Sequence, residues 1–250
     1  MDVLKFILKG KTAFFKKPEV NSYIYFTYGN IHKCVLLGIF GAILGYGGYN
    51  QTSLLSKIHK DKNNFLPEYY EKLENIKISI VPLSEKGSLS KKIQYFNNSV
   101  GYASKEAGGN LIVKEQWLEN PAWCIYVILD NDESRLLAHY IINNKVTFNP
   151  YLGKNDHIAD ISNAEIIKDV AKSNTFSKID SLALKKDFEI TFEEEDEEID
   201  YFKYEEYLPL NLHEETSLYV LEKFFYSNME VNAKTDVDVF DIKGKNIVFY

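Results

Sequence analysis

The sequence contains only two cysteines among its 250 residues, and so few cannot form a disulfide framework. Cys34 and Cys124 are also too far apart for the paired spacing of a structural zinc site, so we predict two reduced, buried thiols. Long apolar runs are lacking as well. The longest, residues 34–44, covers about eleven residues, whereas a membrane-spanning helix needs roughly 20. The sequence therefore predicts no membrane span.

The N-terminus lacks the features of a signal peptide. Residues 1–18 contain an acid at position 2, only a short apolar run at 3–8 and no small-residue cleavage site. They predict a first β-strand instead. With 45% hydrophobic and 26% charged residues, the composition is that of a soluble globular protein, and we expect a cytoplasmic location.

Positive charge is in excess in one half of the chain and scarce in the other. Residues 1–120 carry a formal charge of +6 and contain no arginine, whereas residues 121–250 carry −13. A basic surface attracts a polyanion and an acidic surface repels it, so this division favours a polyanion bound by the first half. The acidic half repels such a polyanion or faces a basic partner. The alternative is that this division of charge reflects surface composition alone.

The hydrophobic periodicity predicts an α+β protein. Alternating or continuously apolar segments predict strands, and apolar residues spaced three and four apart predict helices. The predicted strands are residues 3–8, 21–30, 76–83, 122–132 and 145–153 (with its turn), and the predicted helices are 31–44, 66–75 and 133–144. This succession is that of a ferredoxin-like (split βαβ) domain, which we expect to cover residues 1–190.

Two polar segments interrupt this pattern. Residues 84–110 are rich in Lys, Ser, Asn and Gly and predict an insertion between strands, which in a compact domain is usually functional or disordered. Residues 191–207 form an acidic run that predicts a solvated loop. We expect residues 191–250 to comprise this acidic linker and a small C-terminal β region, because the rest of the tail alternates as strands do.

The glycine-rich stretch GYGGYN at residues 45–50 does not match a nucleotide-binding motif. It follows the apolar helix instead of preceding one, and Asn50 stands where the dinucleotide fingerprint has its last glycine. We interpret the preceding stretch as a buried helix with Asn30 as its N-cap. Gly38 and Gly41 each cost helix stability, so they predict close backbone packing against a sheet, and leucine at either position is expected to prevent folding.

The stretch GNIHKCVLLGIFGAILG, with an aromatic SY segment before it, resembles the N-terminal signature of the RAMP-type CRISPR-associated Cas-five family, particularly its type I-B branch. Three further segments resemble the same family in the same order: LIVKEQWLENPAWCIYVIL (111–129), FNPYLGKNDHIADI (148–161) and YEEYLPLNLHEETSLYVLEKFFYSN (204–228). Each is moderately specific by itself, and the four together extend over nearly the whole chain.

This resemblance implies a function that the composition alone does not indicate. Members of the family are subunits of the Cascade surveillance complex of antiviral defence, where they hold the 5′ handle of the crRNA beside the backbone subunit and the large subunit. Their fold is a ferredoxin-like (RRM-like) RAMP domain with a β-hairpin thumb, which would match residues 84–110. The resemblance implies crRNA binding without a cofactor, and contact with target DNA only through the complex.

Lysines and aromatic residues of the first half fit this role, because single-stranded RNA is held by positive charge along its backbone and by aromatic faces under its bases. The residues predicted to bind RNA are Lys11, Lys16, Lys17, Tyr28, Lys33, Tyr46, Tyr49, Gln51, Lys91, Lys92, Lys105 and Lys114. Tyr25 and Tyr95 belong to the same interleaved set of aromatics.

The alternative function is a metal-independent endoribonuclease that processes the crRNA precursor, as the type I-C branch of the family does. Such cleavage needs a general acid and base near neutral pH and a cation over the phosphate. The five histidines are scattered, without the adjacent Lys-His pair of the processing branch, so we predict no catalytic residue. A third interpretation is a scaffold protein that binds no RNA.

A metal site is not expected either. His157, Asp156 and Asp160 fall within five residues, but such a loop cluster is more often a turn network than a set of ligands. The acidic run at 193–198 lacks the interleaved spacing of a calcium loop.

Overall fold

The computed structural model describes residues 1–19, 23–59 (backbone only at 55–59), 66–97, 101, 105–107, 111–173, 175–191 and 200–250. In this part of the chain the helices are α1 (Lys33–Leu44), α2 (Tyr49–His59), α3 (Glu68–Leu73) and α4 (Asp132–Ile142). The strands are β1 (Val3–Lys9), β2 (Thr12–Ala13), β3 (Ile78–Pro82), β4 (Lys91–Asn97), β5 (Ile112–Glu119), β6 (Ala122–Ile128), β7 (Asp160–Ile167), β8 (Ala171–Lys172), β9 (Ala183–Leu184), β10 (Phe188–Thr191), β11 (Lys203–Leu212), β12 (Tyr219–Ser227), β13 (Glu230–Ala233), β14 (Val239–Ile242) and β15 (Lys245–Val248).

A four-stranded antiparallel sheet forms the centre of the fold. Its strand order is β3-β6-β1-β7. β1 and β3 run parallel on either side of β6, with α1 in the connection between them, and β6 and β7 run parallel on either side of β1, with α4 in theirs. The expected mixture of helices and antiparallel strands is thereby confirmed.

Both faces of this sheet are covered. On one face, Phe6 and Trp123 pack with residues of α1 and α4 in the main core cluster. On the other face, Val3 and Tyr126 pack with Phe240 of β14 in a second cluster. This burial explains why β6 is continuously apolar in sequence, since neither face of the strand meets water.

The C-terminal strands take part in the core. Leu208, Leu212 and Phe224, from β11 and β12, belong to the main core cluster. Tyr250 also exchanges two backbone hydrogen bonds with Ile78 of β3, at 3.0 and 3.2 Å, which extends the edge of the central sheet. The region expected as a small β extension is therefore packed into the molecule.

Three predicted segments differ from the structure. Residues 145–149 are exposed and form no strand, because the N–H groups of Thr147 and Phe148 donate to carbonyls at the end of α1 instead of to a neighbouring strand. The fourth strand of the sheet is β7. Residues 23–30 make isolated bridges at Tyr25 and Thr27 instead of a continuous strand. The predicted acidic loop ends early, since β11 begins at Lys203; residues 192–199 of that run lie outside the described residues.

The start of α1 also differs from the prediction. The N-cap is His32, whose side chain makes no capping hydrogen bond. Asn30 is completely buried and has another role: its Oδ1 accepts from Nε1–H of Trp123 at 2.9 Å, and its Nδ2 donates to the carbonyl of Gly87 at 3.0 Å. The side chain that was expected to begin a helix therefore connects three separate segments.

The glycines of α1 are not equivalent. A Cβ added at Gly41 would lie 2.5 Å from Cβ of Tyr69, so α3, and not a sheet, makes the close approach. At Gly38, apart from the neighbouring residues and the backbone of α1 itself, no described atom lies within 4 Å of an added Cβ. The prediction that a side chain at Gly38 prevents folding therefore lacks a structural basis, whereas at Gly41 the close approach supports it. Gly45 ends the helix with φ +86°, in the left-handed region that glycine favours.

We expect Gly41→Ala to destabilise the protein by about 1–2 kcal/mol, because displacement of Tyr69 outweighs the better helix propensity of alanine. Gly38→Ala serves as the matched control and is expected to stabilise the protein by about 0.5–1 kcal/mol. Urea unfolding of both variants measures the difference. Changes of the same sign would contradict the assignment of the close approach to Gly41.

Candidate nucleic-acid interface

β4 and β5 form an antiparallel hairpin that is inserted between β3 and β6 of the central sheet. β2 pairs with the other edge of β5 and completes a three-stranded sheet. β4 lies within the predicted insertion at 84–110, and β5 follows that insertion. Lys105 lies in the connection and is exposed; residues 98–100, 102–104 and 108–110 lie outside the described part of the chain.

Lysines and aromatic rings are paired across this hairpin. Tyr95 and Lys114 are directly opposite each other, with the ammonium 5.3 Å from the ring centroid, and Tyr95 is 57% exposed. On the other face, Lys92 lies opposite Trp117 at 5.7 Å from its ring. Each lysine therefore lies close enough to an aromatic face for a cation–π contact.

A third pair lies beside β5. The backbone N–H of Tyr25 donates to the carbonyl of Lys114, and the carbonyl of Tyr25 accepts from Gln116, both at 2.9 Å. The ammonium of Lys16 lies 3.9 Å from the centroid of the Tyr25 ring. The N-terminal lysines and the hairpin, about 75 residues or more apart in sequence, are thus adjacent in the fold.

Some of the lysines on this surface are neutralised and others are not. Lys17 pairs with Glu206 at 3.2 Å, and Lys92 lies 3.8 Å from Glu119. Among the described residues, no carboxylate lies within 4 Å of the ammonium groups of Lys11, Lys16, Lys91 and Lys114. We call these four residues the hairpin lysines. Because no described carboxylate compensates their charge, these lysines can attract a polyanion.

Lys154 was not predicted and belongs to the same region. Its ammonium bonds both carboxylate oxygens of Glu115, at 3.0 and 3.1 Å, and lies over the rings of Phe14 and Phe96. Glu115 also accepts from Nε1–H of Trp117 and is 5% exposed. The sequence shows only that Lys154 belongs to a GKND turn. Nothing in the neighbouring residues indicates that this turn packs against a hairpin distant in the chain.

Two predicted RNA-binding residues lie in the interior. Tyr28 is 2% exposed, and its ring contacts His32 and Tyr219 edge-on. Lys33 is 8% exposed at the start of α1, and burial lowers the pKa of its ammonium. Because the protein covers both side chains, neither is available at the surface.

The remaining predicted residues lie where α1 ends and α2 begins. The hydroxyl of Tyr46 donates to Glu133 of α4, and Lys72 of α3 lies over its ring at 4.2 Å. Tyr49 is 46% exposed and contacts Tyr69 edge-on. Gln51 accepts through Oε1 from the N–H of Gly48. These contacts are with the helical side of the molecule, whereas Lys91 and Lys114 lie on β4 and β5 and Lys16 lies against Tyr25 beside them.

The four histidines whose side chains the structure describes lie in different environments. His32 is buried among aromatic rings, and burial lowers its pKa to about 3. His157 is also buried, with a lowered pKa for the same reason, whereas His139 and His213 are exposed. Within the described residues no three His, Cys, Asp or Glu side chains could hold a metal ion together.

The burial of His32 predicts an acid-sensitive fold. Its folded pKa of about 3 lies below the ordinary value of 6.5, so its neutral form contributes stability that is present above pH 6.5 and is lost as the pH falls towards 3. Between pH 7.5 and pH 5 this group alone is expected to cost about 2 kcal/mol of unfolding free energy.

Urea unfolding at both pH values tests this expectation. His32→Phe should reduce the loss between pH 7.5 and pH 5 by about 2 kcal/mol relative to the unmodified chain. His139→Gln, at the exposed histidine, serves as the control and should leave the loss unchanged. An equal pH dependence for all three proteins would contradict the role of His32.

Among the described residues, no helix is both long and apolar enough to span a membrane. The sequence matches no protein-family model and no curated protein.

Solved structures share the fold. One is a chain of a "CRISPR RNA-guided surveillance complex", with a TM-score of 0.51 and 11% identity over 93% of this chain and 91% of that one. Another is "a CRISPR protein from Archaeoglobus fulgidus", with a TM-score of 0.50 and 11% identity over 100% of this chain and 98% of that one. At this identity the likeness concerns the fold, and over almost its full length the chain has a fold found in CRISPR-associated proteins.

Proposed function

We propose that this protein is a non-catalytic RNA-binding subunit of a type I CRISPR Cascade complex. In this role it holds the 5′ handle of the crRNA, joins the backbone and large subunits, and meets target DNA only through the complex. The observation that carries the proposal is the row of unneutralised lysines beside aromatic rings along an inserted hairpin. The shared fold and the four segments that resemble the type I-B Cas-five family support it.

The proposed core is a ferredoxin-like RAMP domain, and the β4–β5 hairpin is its thumb. The strand order β3-β6-β1-β7 and the two helical connections support this description. In such an arrangement RNA lies along the hairpin, with phosphates near the ammonium groups and bases against the exposed Tyr95 and the half-buried Tyr25. Stacking on aromatic side chains contributes about 1–3 kcal/mol per base, and the phosphate contacts make binding salt-dependent.

Charge reversal at the hairpin tests RNA binding. The triple variant Lys16→Glu, Lys91→Glu and Lys114→Glu is expected to bind a single-stranded RNA of mixed sequence about a hundredfold more weakly at low salt. The slope of log affinity against log salt should fall in magnitude by about 2, since each lost phosphate contact removes about 0.7. Fluorescence anisotropy at several salt concentrations measures both quantities.

A matched control separates a local effect from that of net charge. Lys145, Lys168 and Lys245 are exposed and lie off the hairpin, and their reversal to glutamate changes the net charge equally. This control should retain most of the affinity and an unchanged slope. Equal losses in the two triple variants, or an unchanged slope in the hairpin variant, would contradict the proposed surface.

The proposal also states that the protein does not cleave RNA. The endoribonuclease alternative requires a general acid and base near neutral pH. Burial lowers the pKa of His32 and His157, and the exposed His139 and His213 lie on α4 and directly after β11, not on the hairpin. Incubation of the purified chain with CRISPR repeat RNA in EDTA should leave the RNA intact. Cleavage at one defined position, lost on mutation of the chain, would overturn the non-catalytic assignment.

A further inference from the structure

A cavity of about 570 Å³ opens at the base of the hairpin. It lies between the turn that joins β1 to β2, the residue that follows β5, and the loop before β7. Its lining includes Lys9, Lys11, Asn120, Asp156 and His157. The volume is ample for one nucleobase with its sugar.

His157 is the least satisfied polar group of this cavity. Its side chain is 1% exposed, its Nδ1 lies 2.6 Å from the hydroxyl of Thr12, and its ring meets Trp117 edge-on. Its Nε2 has no hydrogen-bond partner among the described residues. Buried polar atoms are nearly always paired, so the unpaired ring nitrogen of this cavity-lining residue indicates a missing partner. If the Thr12 hydroxyl donates to Nδ1, Nε2 carries the proton and needs an acceptor.

The charges around the cavity suit a neutral polar ligand better than an anion. Lys9 pairs with Asp160 at 3.4 Å, which leaves one lysine, Lys11, and one carboxylate, Asp156, without an ion-pair partner among the described residues. A phosphate would gain from Lys11 and be repelled by Asp156. A ligand with both donors and acceptors can use both groups.

We propose that this cavity binds one guanine base of the RNA held along the hairpin. Guanine presents two adjacent donors, N1–H and N2–H, that a carboxylate such as that of Asp156 can accept together. It also presents the acceptors O6 and N7, which lysine recognises and which suit the unpaired ring nitrogen of His157. Adenine lacks the carbonyl and the paired donors, and neither pyrimidine offers both features.

The cavity shares one residue with the proposed RNA surface. Lys11 is one of the hairpin lysines, and the carbonyl of Lys11 accepts from the N–H of Asn120, directly after β5. His157 contacts Trp117 of β5, on the face of the hairpin opposite Tyr95 and Lys114. RNA that contacts Lys11 can therefore place a base in the cavity. The inference rests on the proposed function and specifies one subsite of it.

RNA oligonucleotides of equal length test the preference. The chain is expected to bind an oligouridine with a single central guanosine about tenfold more tightly than the all-uridine oligomer or one with a central adenosine. Asp156→Asn should abolish this preference, so that the three oligomers bind the variant with equal affinity. Asp236→Asn, at an exposed aspartate elsewhere, is the matched control and should retain the preference.

The outcomes separate the two proposals. RNA binding that does not depend on guanosine, or a preference that survives Asp156→Asn, overturns the guanine site and leaves the RNA-binding function intact. Absence of RNA binding to any oligomer contradicts both. As a second measurement, guanosine 5′-monophosphate should shift the Nε2 resonance of ¹⁵N-labelled His157, and uridine 5′-monophosphate should not; equal or absent shifts count against the site.

Discussion

Replacing Gly153 with alanine is expected to destabilise the protein by about 3–5 kcal/mol. Gly153 has φ +93°, in the left-handed region, and an added Cβ would overlap the carbonyl oxygen of Phe14 and lie 2.7 Å from its carbonyl carbon. Backbone strain and overlap with a backbone group each cost about 1–3 kcal/mol, and a backbone carbonyl cannot move aside as a side chain can.

The overlap lies where the loop before β7 is attached to the N-terminal segment. The N–H of Phe14 donates to the carbonyl of Leu152 at 3.0 Å, and the N–H of Leu152 donates to that of His157 at 2.7 Å. A displaced Gly153 therefore disturbs the N-terminal segment and the loop before β7, each of which contributes residues near the cavity. We expect loss of RNA affinity to accompany the loss of stability.

Gly244→Ala provides the control, because Gly244 has a similar φ of +79° and, apart from its two chain neighbours, no described atom lies within 4 Å of an added Cβ. Its expected cost is about 1 kcal/mol, from backbone conformation alone. Urea unfolding of the two variants separates strain from overlap. If both cost the same, the close approach of Phe14 does not contribute.

Asn30→Ala is expected to destabilise the protein by about 3 kcal/mol. The substitution leaves two buried groups without a partner, Nε1–H of Trp123 and the carbonyl of Gly87, and each costs about 1–3 kcal/mol when unpaired. The effect is large for a polar-to-alanine change because the site is completely buried and water cannot replace the amide.

A double-mutant cycle with Trp123→Phe measures the hydrogen bond itself. In the phenylalanine background the indole N–H is absent, so Asn30→Ala should cost about 1 kcal/mol less than in the unmodified chain. Denaturant unfolding of the four proteins gives the coupling. Additive costs would show that the Asn30–Trp123 bond carries no stability, and that the loss comes from Gly87 or from packing.

Elements with a strong local pattern were predicted from the sequence. The apolar periodicity placed α4 at 133–144, and the structure has Asp132–Ile142, where the side chain of Asn131 and that of Ser134 cap the helix reciprocally. The continuous apolar run at 122–132 was predicted as a strand and forms β6. The strand at 145–153 was predicted wrongly, because its residues have β propensity but no partner strand beside them.

The candidate site was predictable only in part, because burial depends on distant contacts. Lys16, Lys91 and Lys114 were predicted as RNA-binding residues and lie exposed or half-exposed around one hairpin. Tyr28 and Lys33 have the same residue types but are covered by the core packing around α1. No local feature of a tyrosine or lysine distinguishes these two situations.

Local sequence determined which segments of this chain form strands and helices, where charge accumulates, and which residue types are available to bind a polyanion. Periodicity and composition act over a few residues, so their consequences can be inferred without knowledge of the fold. Only the tertiary structure decided that Lys16 lies beside Tyr25 and β5, that Lys154 neutralises Glu115, and that Asn30 supports Trp123. These contacts join segments far apart in the chain, and their geometry follows from strand order and register, which no single segment encodes.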